Sequence, residues 1–264
     1  MNTLAKIEYP QFKADDGAFT YGFFGKNGGV SPQPYNTLNV SFQSGDAEAN
    51  IRENRRRIAS QMQRDLMDIY TVKQVHGRDC LVVSDEYDSA DEAPDADALV
   101  TDKPNMPIAV MTADCVPVLF SARKQNGAPV IGAAHAGWGG ALKGIIESTL
   151  SAMQHLEADL TSVQACIGPC IQKKSYEVSI DFATPFLEQD EAAERLFSEG
   201  QHDDKLLFDL PAYVMARLAK AGVRQVFDTG LDTYARAEDF FSYRRATHEG
   251  LNDYGRQASV IMIR

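Results

Sequence analysis

The chain is short of several things, and each shortage narrows its function. No stretch approaches the roughly 18 consecutive apolar residues that cross a bilayer. The first residues, MNTLAKIEYPQF, carry neither the basic start nor the apolar run of a secretory signal. No membrane association is expected, and the cytoplasm is the expected location. Positive charge is scarce: 26 Lys and Arg against 37 Asp and Glu give a formal net charge of -11. Such a surface repels phosphate backbones, so nucleic acid is not an expected partner. A small anion held by a few local cations is still allowed. Cysteine is limited to Cys80, Cys115, Cys166 and Cys170, with no CxxC pair. Cys166 and Cys170 enclose Ile-Gly-Pro, a poor spacing for a disulfide or a zinc knuckle, so free thiols are expected. Histidine numbers only five. A multicopper oxidase needs roughly ten imidazoles for its blue site and three-copper cluster, which rules out that chemistry.

What is present is ordinary globular material: 264 residues, 44% apolar and 24% charged, without internal repeats. GGVSPQP at 28–34 reads as a loop. A helix is predicted over 47–64, with Ile51, Ile58 and Met62 on one stripe opposite Glu53 and Arg56. TVKQV and CLVVS, on either side of His76-Gly77, read as two strands joined by a tight connection. The acidic segment 85–97 reads as a solvated loop. IAVMTADCVPVLFS reads as one strand-like segment and VIGAAHAGW as a second, running into the helix ALKGIIESTLSAMQHL. SVQACIG, VRQVFD and ASVIMI read as further strands. Residues 180–200 are helical in pattern and acidic, and LPAYVMARLAKAG is a helix with a glycine cap. No composition break divides the chain, so a single domain over 1–264 is expected. Strands and helices mixed without a βαβ rhythm argue for an α+β layered sandwich rather than a doubly wound sheet.

Reactive groups interrupt these strands beside small residues. His76 lies in QVHGRD, Cys115 in TADCVPV and His135 in AAHAGWGG, whereas His155, His202 and His248 fall in polar surroundings. Two imidazoles and a thiolate suit Zn²⁺, and three protein ligands leave an exchangeable fourth position. The same trio is also a copper set. Without a metal, Cys115 is a candidate nucleophile with His135 or His76 as base, and Asp114 a candidate orienter weakened by the alternation of strand neighbours.

Taken in order, GGVSPQPYNTLNV, ENRRRI, KQVHG, DALVT, TADCVPV, AAHAGWGG, IGPCI with SYEV, FFSYRR and GRQAS run through nearly the whole chain. With them the sequence resembles the bacterial purine nucleoside phosphorylase family once described as multicopper polyphenol oxidases or laccases, also called peptidoglycan editing factors. The resemblance implies a four-layer α/β/β/α fold, distantly like the cytotoxic necrotizing factor-type cysteine hydrolases. It implies metal ligation by His76, Cys115 and His135. It also implies phosphorolysis of adenosine, inosine, guanosine and methylthioadenosine, with adenosine deamination as a side activity.

Three departures stand out: Lys26 and Gly139 occupy places where the family usually has Arg, and Asp232-Thr233 replaces a Cys-Thr pair. A phosphate co-substrate needs cations, and Lys26, Arg244 and Arg245 are the candidates; a monomer is expected. Two other functions stay open: a Cys-His amidase acting on peptidoglycan precursors, and a ligand-binding protein with a structural metal. Structural zinc sites usually have a fourth protein ligand, and none accompanies this trio. A single-copper polyphenol oxidase is the remaining redox alternative.

Overall fold

Strands whose two faces are both apolar must be covered on both sides, and this sets the layering. The computed structural model describes residues 4–13, 16–63, 68–84 and 93–264. Its strands are β1 (Lys6–Ile7), β2 (Phe19–Phe24), β3 (Cys80–Val82), β4 (Ala98–Thr101), β5 (Ile108–Thr112), β6 (Val116–Lys124), β7 (Pro129–Ala136), β8 (Ala158–Ile167), β9 (Glu177–Ser179), β10 (Phe197–Glu199), β11 (Lys205–Phe208), β12 (Gln225–Asp228) and β13 (Gln257–Ile263). The helices are α1 (Glu48–Met62), α2 (Trp138–Lys143), α3 (Ile145–His155), α4 (Thr184–Gln189), α5 (Leu210–Lys220) and α6 (Tyr243–His248).

Two main sheets result, one in the order β1-β2-β13-β5 and one in the order β12-β8-β6-β7-β4-β3. Alternation along β13 and β5 divides their side chains between two cores. Ile261, Ile108 and Val110 face the six-stranded sheet, where they meet Leu99, Leu119, Ile131 and Ala133. Val260, Met262, Ala109 and Met111 face the other way, onto Ile58, Ala59 and Met62 of α1. The far side of the six-stranded sheet offers Val118, Phe120, Val130 and Ala134 to Ile145, Ile146, Leu150 and Met153 of α3 and Val214 and Leu218 of α5. The layers are therefore α1, four strands, six strands, then α3 and α5, which is the α/β/β/α sandwich the motifs imply. Strands β10-β11-β9 form a small third sheet beside it.

Four predicted elements differ in detail. IAVMTADCVPVLFS is two strands in different sheets, β5 and β6, because Ala113-Asp114-Cys115 turns the corner between layers with Asp114 at φ 88°. TVKQV makes one isolated bridge, Lys73 to Asp95, and the preceding Tyr70 makes another to Ile108 at the start of β5. ALKGIIESTLSAMQHL is broken at Gly144, whose φ of 100° separates α2 from α3. Residues 180–200 are not one helix: 3-10 turns flank α4, and β10 follows where Phe197 pairs with Phe208. The predicted helix over 47–64 runs to Met62, and its last position lies outside the described residues, as does most of the acidic 85–97 segment. Helix α5 matches its prediction, capped by the Asp209 carboxylate and followed by Gly222 at φ 90°.

Candidate active site at the seam of the two sheets

Hydrogen-bond register brings the reactive residues together. Strands β6 and β7 pair antiparallel with Pro117 opposite His135 and Val116 opposite Ala136, so Cys115 comes level with Gly137. Strand β4 pairs with β7 on the other side, Ala98 opposite Ala134, and the His135 N–H donates to the Asp97 carbonyl at 2.8 Å. His76 arrives from the loop before β3. One ligand atom from each of His76, Cys115 and His135 lies within 4.8 Å of the others. The Cys115 Sγ to His76 Nε2 distance is 3.8 Å, and the two imidazoles stand edge to face at 81° with centroids 4.8 Å apart. Zn–S near 2.3 Å and Zn–N near 2.0 Å at a tetrahedral angle put sulfur and nitrogen about 3.6 Å apart, so the donor set fits such an ion. Among the described residues no other group of three metal-binding side chains converges, and His155, His202 and His248 are exposed.

Glycines make the approach possible. A Cβ at Gly137 would sit 2.8 Å from His76 Cδ2 and 3.1 Å from Cys115 Sγ. A Cβ at Gly140 would sit 2.9 Å from the Gly77 carbonyl oxygen, where α2 presses on the His76 loop. Each distance is below ordinary van der Waals contact, so the GWGG run lets the helix and the loop close on each other.

The residue that sequence reasoning missed is Asp97. It is fully buried, and its carboxylate accepts from the Val75, His76 and Gly77 N–H groups at 3.2, 3.0 and 2.6 Å. Its Oδ1 also lies 2.8 Å from His135 Nδ1. An ionised carboxylate only accepts, so the proton is on Nδ1 and Nε2 is left as the donor atom facing Cys115. His76 has a left-handed φ of 56°, a conformation costing on the order of 1–3 kcal/mol that the Asp97 bonds and the Lys143 ammonium, 3.0 Å from the His76 carbonyl, offset. Burial opposes the Asp97 charge, but the His135 bond and charge and the backbone donors outweigh it and hold the carboxyl below its usual range. Burial likewise pushes the Cys115 thiol up, while His135 and His76 bring it down below a free thiol. Burial lowers the pKa of His135 and is outweighed by Cys115 and Asp97, which raise it.

Asp114, the orienter considered from sequence, touches neither imidazole. It accepts from the Thr233 and Ser242 hydroxyls at 2.6 and 2.9 Å and from the Arg244 N–H at 2.7 Å, tying the loop before α6 to the sheet corner. The departure from the family pattern is the neighbouring Asp232, whose carboxylate accepts from the Ser175 hydroxyl at 2.6 Å and the Tyr234 N–H at 3.0 Å.

The trio lines one wall of a cavity of about 340 Å³ whose other walls include Gln43, Gln74, Met111, Tyr243, Tyr254 and Arg256. The three expected phosphate cations do not line it. Lys26 and Arg245 line a neighbouring cavity that shares Tyr254. The Arg245 guanidinium donates to the Thr233, Tyr234 and Phe240 carbonyls, and Arg244 donates to the Glu177 carbonyl over the Tyr176 ring. An added Cβ at Gly139 meets only the His76 carbonyl oxygen, at 3.9 Å, so alanine fits there.

Residues 20–264 match the family model described as multi-copper polyphenol oxidoreductase laccase. The chain belongs to this family. It is 36% identical over 98% of its length to all of the purine nucleoside phosphorylase YfiH of Escherichia coli. Against the purine nucleoside phosphorylase RC0672 of Rickettsia conorii it is 34% identical, covering 88% of this chain and 91% of that one. Among solved structures, the Neisseria meningitidis protein NMB0706 superposes with a TM-score of 0.83 at 32% identity over 99% of both chains. YlmD from Geobacillus stearothermophilus gives 0.81 at 26% identity over 94% of this chain and 92% of that one. Among the described residues no helix is long and apolar enough to cross a membrane.

Proposed function

We propose that the chain is a metal-dependent purine nucleoside phosphorylase, acting on adenosine, inosine, guanosine and methylthioadenosine with phosphate, from a single domain. The observation that carries this reading is the convergence of His76, Cys115 and His135 on one wall of a cavity of about 340 Å³, within the size range of small-ligand pockets. The naming of the relatives supports the substrate class. Bound through His76, Cys115 and His135, Zn²⁺ supplies a Lewis acid, and copper is the alternative ion.

The remaining work falls to the chain's own groups. Asp97 keeps the His135 proton on Nδ1 and fixes the His76 loop. The half-exposed Tyr243 ring and the Tyr254 ring, 5.2 Å apart between centroids, line the cavity as a platform for the face of a purine. In phosphorolysis a bond forms from a phosphate oxygen to C1′ of the ribose while the C1′–N9 bond breaks. The base leaves with that electron pair and takes the proton of hydrogen phosphate. Adenosine deamination belongs to the same proposal as a side activity, releasing ammonia from adenosine with uptake of water.

A specific observation also favours a second reading. Cys115, His135 and Asp97 have the order of nucleophile, base and orienter found in cysteine hydrolases. The two readings separate in one experiment: purine release from adenosine, with and without phosphate, on protein of measured metal content. Phosphate-dependent release that is lost on chelation and restored by Zn²⁺ is the expected result. Cys115→Ala should then lose both bound metal and turnover. Release that is indifferent to phosphate and to chelation, with an amidase activity abolished by a thiol alkylator, would replace the phosphorylase reading with the hydrolase.

A further inference from the structure

Phosphorolysis needs a dianion held against the nucleoside, yet the cations expected from sequence sit elsewhere or are already engaged. Arg256 is the one Arg or Lys among the residues lining the metal-site cavity. Its guanidinium donates to the Ser41 hydroxyl at 3.1 Å and to the Tyr254 hydroxyl at 3.2 Å, and it lies 4.8 Å from the Tyr254 ring centre. Among the described residues no carboxylate comes within ion-pair distance of it. The nearby Asp253 carboxylate is taken up by the Tyr35 hydroxyl and the Gly45 and Tyr254 N–H groups. The guanidinium is half-buried, faces a cavity and hydrogen-bonds neutral hydroxyls, with Asp253 a charged neighbour beyond ion-pair distance, so it can still pair with an anion that enters.

Its backbone is fixed as well. The Arg256 N–H donates to the Asn39 side chain at 3.0 Å, its carbonyl accepts from Val40 at 3.2 Å, and β13 begins at the next residue. The 39–41 segment is itself held by Asn54 of α1, whose amide donates to the Asn39 carbonyl at 2.7 Å and to the Ser31 hydroxyl at 2.8 Å. Arg256 is thus a planar, permanently charged fork on a rigid mount, with two rotatable hydroxyls beside it that can donate to the same anion.

We propose that Arg256, with the hydroxyls of Ser41 and Tyr254, forms the subsite for the phosphate co-substrate. This rests on the phosphorylase reading above. In it the guanidinium takes two phosphate oxygens, and the third faces the ribose carbon that the metal-lined wall presents. Lys26 and Arg245 have no part in holding the reacting anion.

The test compares wild-type protein with Arg256→Gln, Arg256→Lys, Tyr254→Phe and Lys26→Ala, each loaded with zinc to the same measured stoichiometry. Arg256→Gln should raise the KM for phosphate at least tenfold while the KM for adenosine changes less than twofold. Arg256→Lys should recover part of that loss, since charge returns without the fork, and Tyr254→Phe should give a smaller rise with the ring kept. A phosphate KM within twofold of wild type in Arg256→Gln, or a tenfold rise in Lys26→Ala instead, overturns the assignment. Equilibrium binding of inorganic phosphate to the same zinc-loaded proteins separates the subsite from the activity. If wild-type protein releases no purine with phosphate, the phosphorylase reading falls. The subsite then stands only if phosphate binds wild type at least tenfold more tightly than Arg256→Gln, and it falls if the two bind alike.

Discussion

Asp97 shows how one buried carboxylate organises two candidate metal ligands that come from different elements. Three backbone donors of the His76 loop and one imidazole meet its two oxygens. Asparagine would keep the shape but replace an acceptor by a donor facing those N–H groups, and it would release the tautomer constraint on His135. Asp97→Asn is therefore expected to weaken zinc binding by roughly 10- to 100-fold, the usual effect of removing such a partner. Competition against a chelator of known affinity measures this directly, and unchanged affinity would show that the ligands are positioned without it. Asp114 is the contrast. It is adjacent to Cys115 and also buried, but its bonds go to Thr233, Ser242 and Arg244, so it holds the loop that presents Tyr243 rather than either imidazole.

At the level of elements, α2 is the piece whose placement matters most for the site. It is six residues long and has no side-chain N-cap, and it stays in place because it packs. Gly140 lets it lie against the Gly77 carbonyl, and Lys143, one turn on, reaches the His76 carbonyl. Neighbouring glycines offer a controlled comparison. Gly140→Ala must displace backbone and is expected to cost about 1–3 kcal/mol, with weaker zinc binding. Gly139→Ala meets only one atom at 3.9 Å and is expected to stay within about 0.5 kcal/mol of the parent. Chemical denaturation and zinc titration of both variants test the pair, and equal effects would refute the close contact as the reason for Gly140.

For the whole molecule, the three candidate ligands belong to a loop ahead of β3, to the corner joining β5 to β6, and to β7. Cys115 sits where the chain passes from the four-stranded to the six-stranded sheet, so a bound ion ties the corner between sheets to the six-stranded layer. Ligand that binds only the folded state adds about 2.7 kcal/mol at a free concentration a hundred times its Kd. For a chain of this size each kcal/mol moves the melting temperature by roughly 2–4 °C. Zinc should therefore raise Tm by several degrees in wild-type protein and leave the Cys115→Ala variant unmoved. Calorimetry at two free zinc concentrations checks this; a shift that persists in the variant would place the ion elsewhere.

Much of this was legible in the residues themselves. The helices α1 and α5, the doubly apolar strands, the layered α+β class and the choice of His76, Cys115 and His135 over the other histidines follow from periodicity and from reactive groups set among small residues, all local signals. Tertiary structure decided the rest. The split of IAVMTADCVPVLFS between two sheets has no glycine or proline at the corner itself, where Asp114 takes the left-handed turn, and Pro117 lies inside β6. The partnership of Asp97 with His135 spans 38 positions and depends on which strands lie side by side. Of the candidate cations read from sequence, Arg245 donates to three carbonyls, Arg244 donates to the Glu177 carbonyl, and Lys26 lines the adjoining cavity. Arg256, in the quoted GRQAS motif, had no mark setting it apart. Hydrogen-bond partners and cavity walls are properties of packed surfaces, and pattern along a chain cannot specify which surfaces will meet.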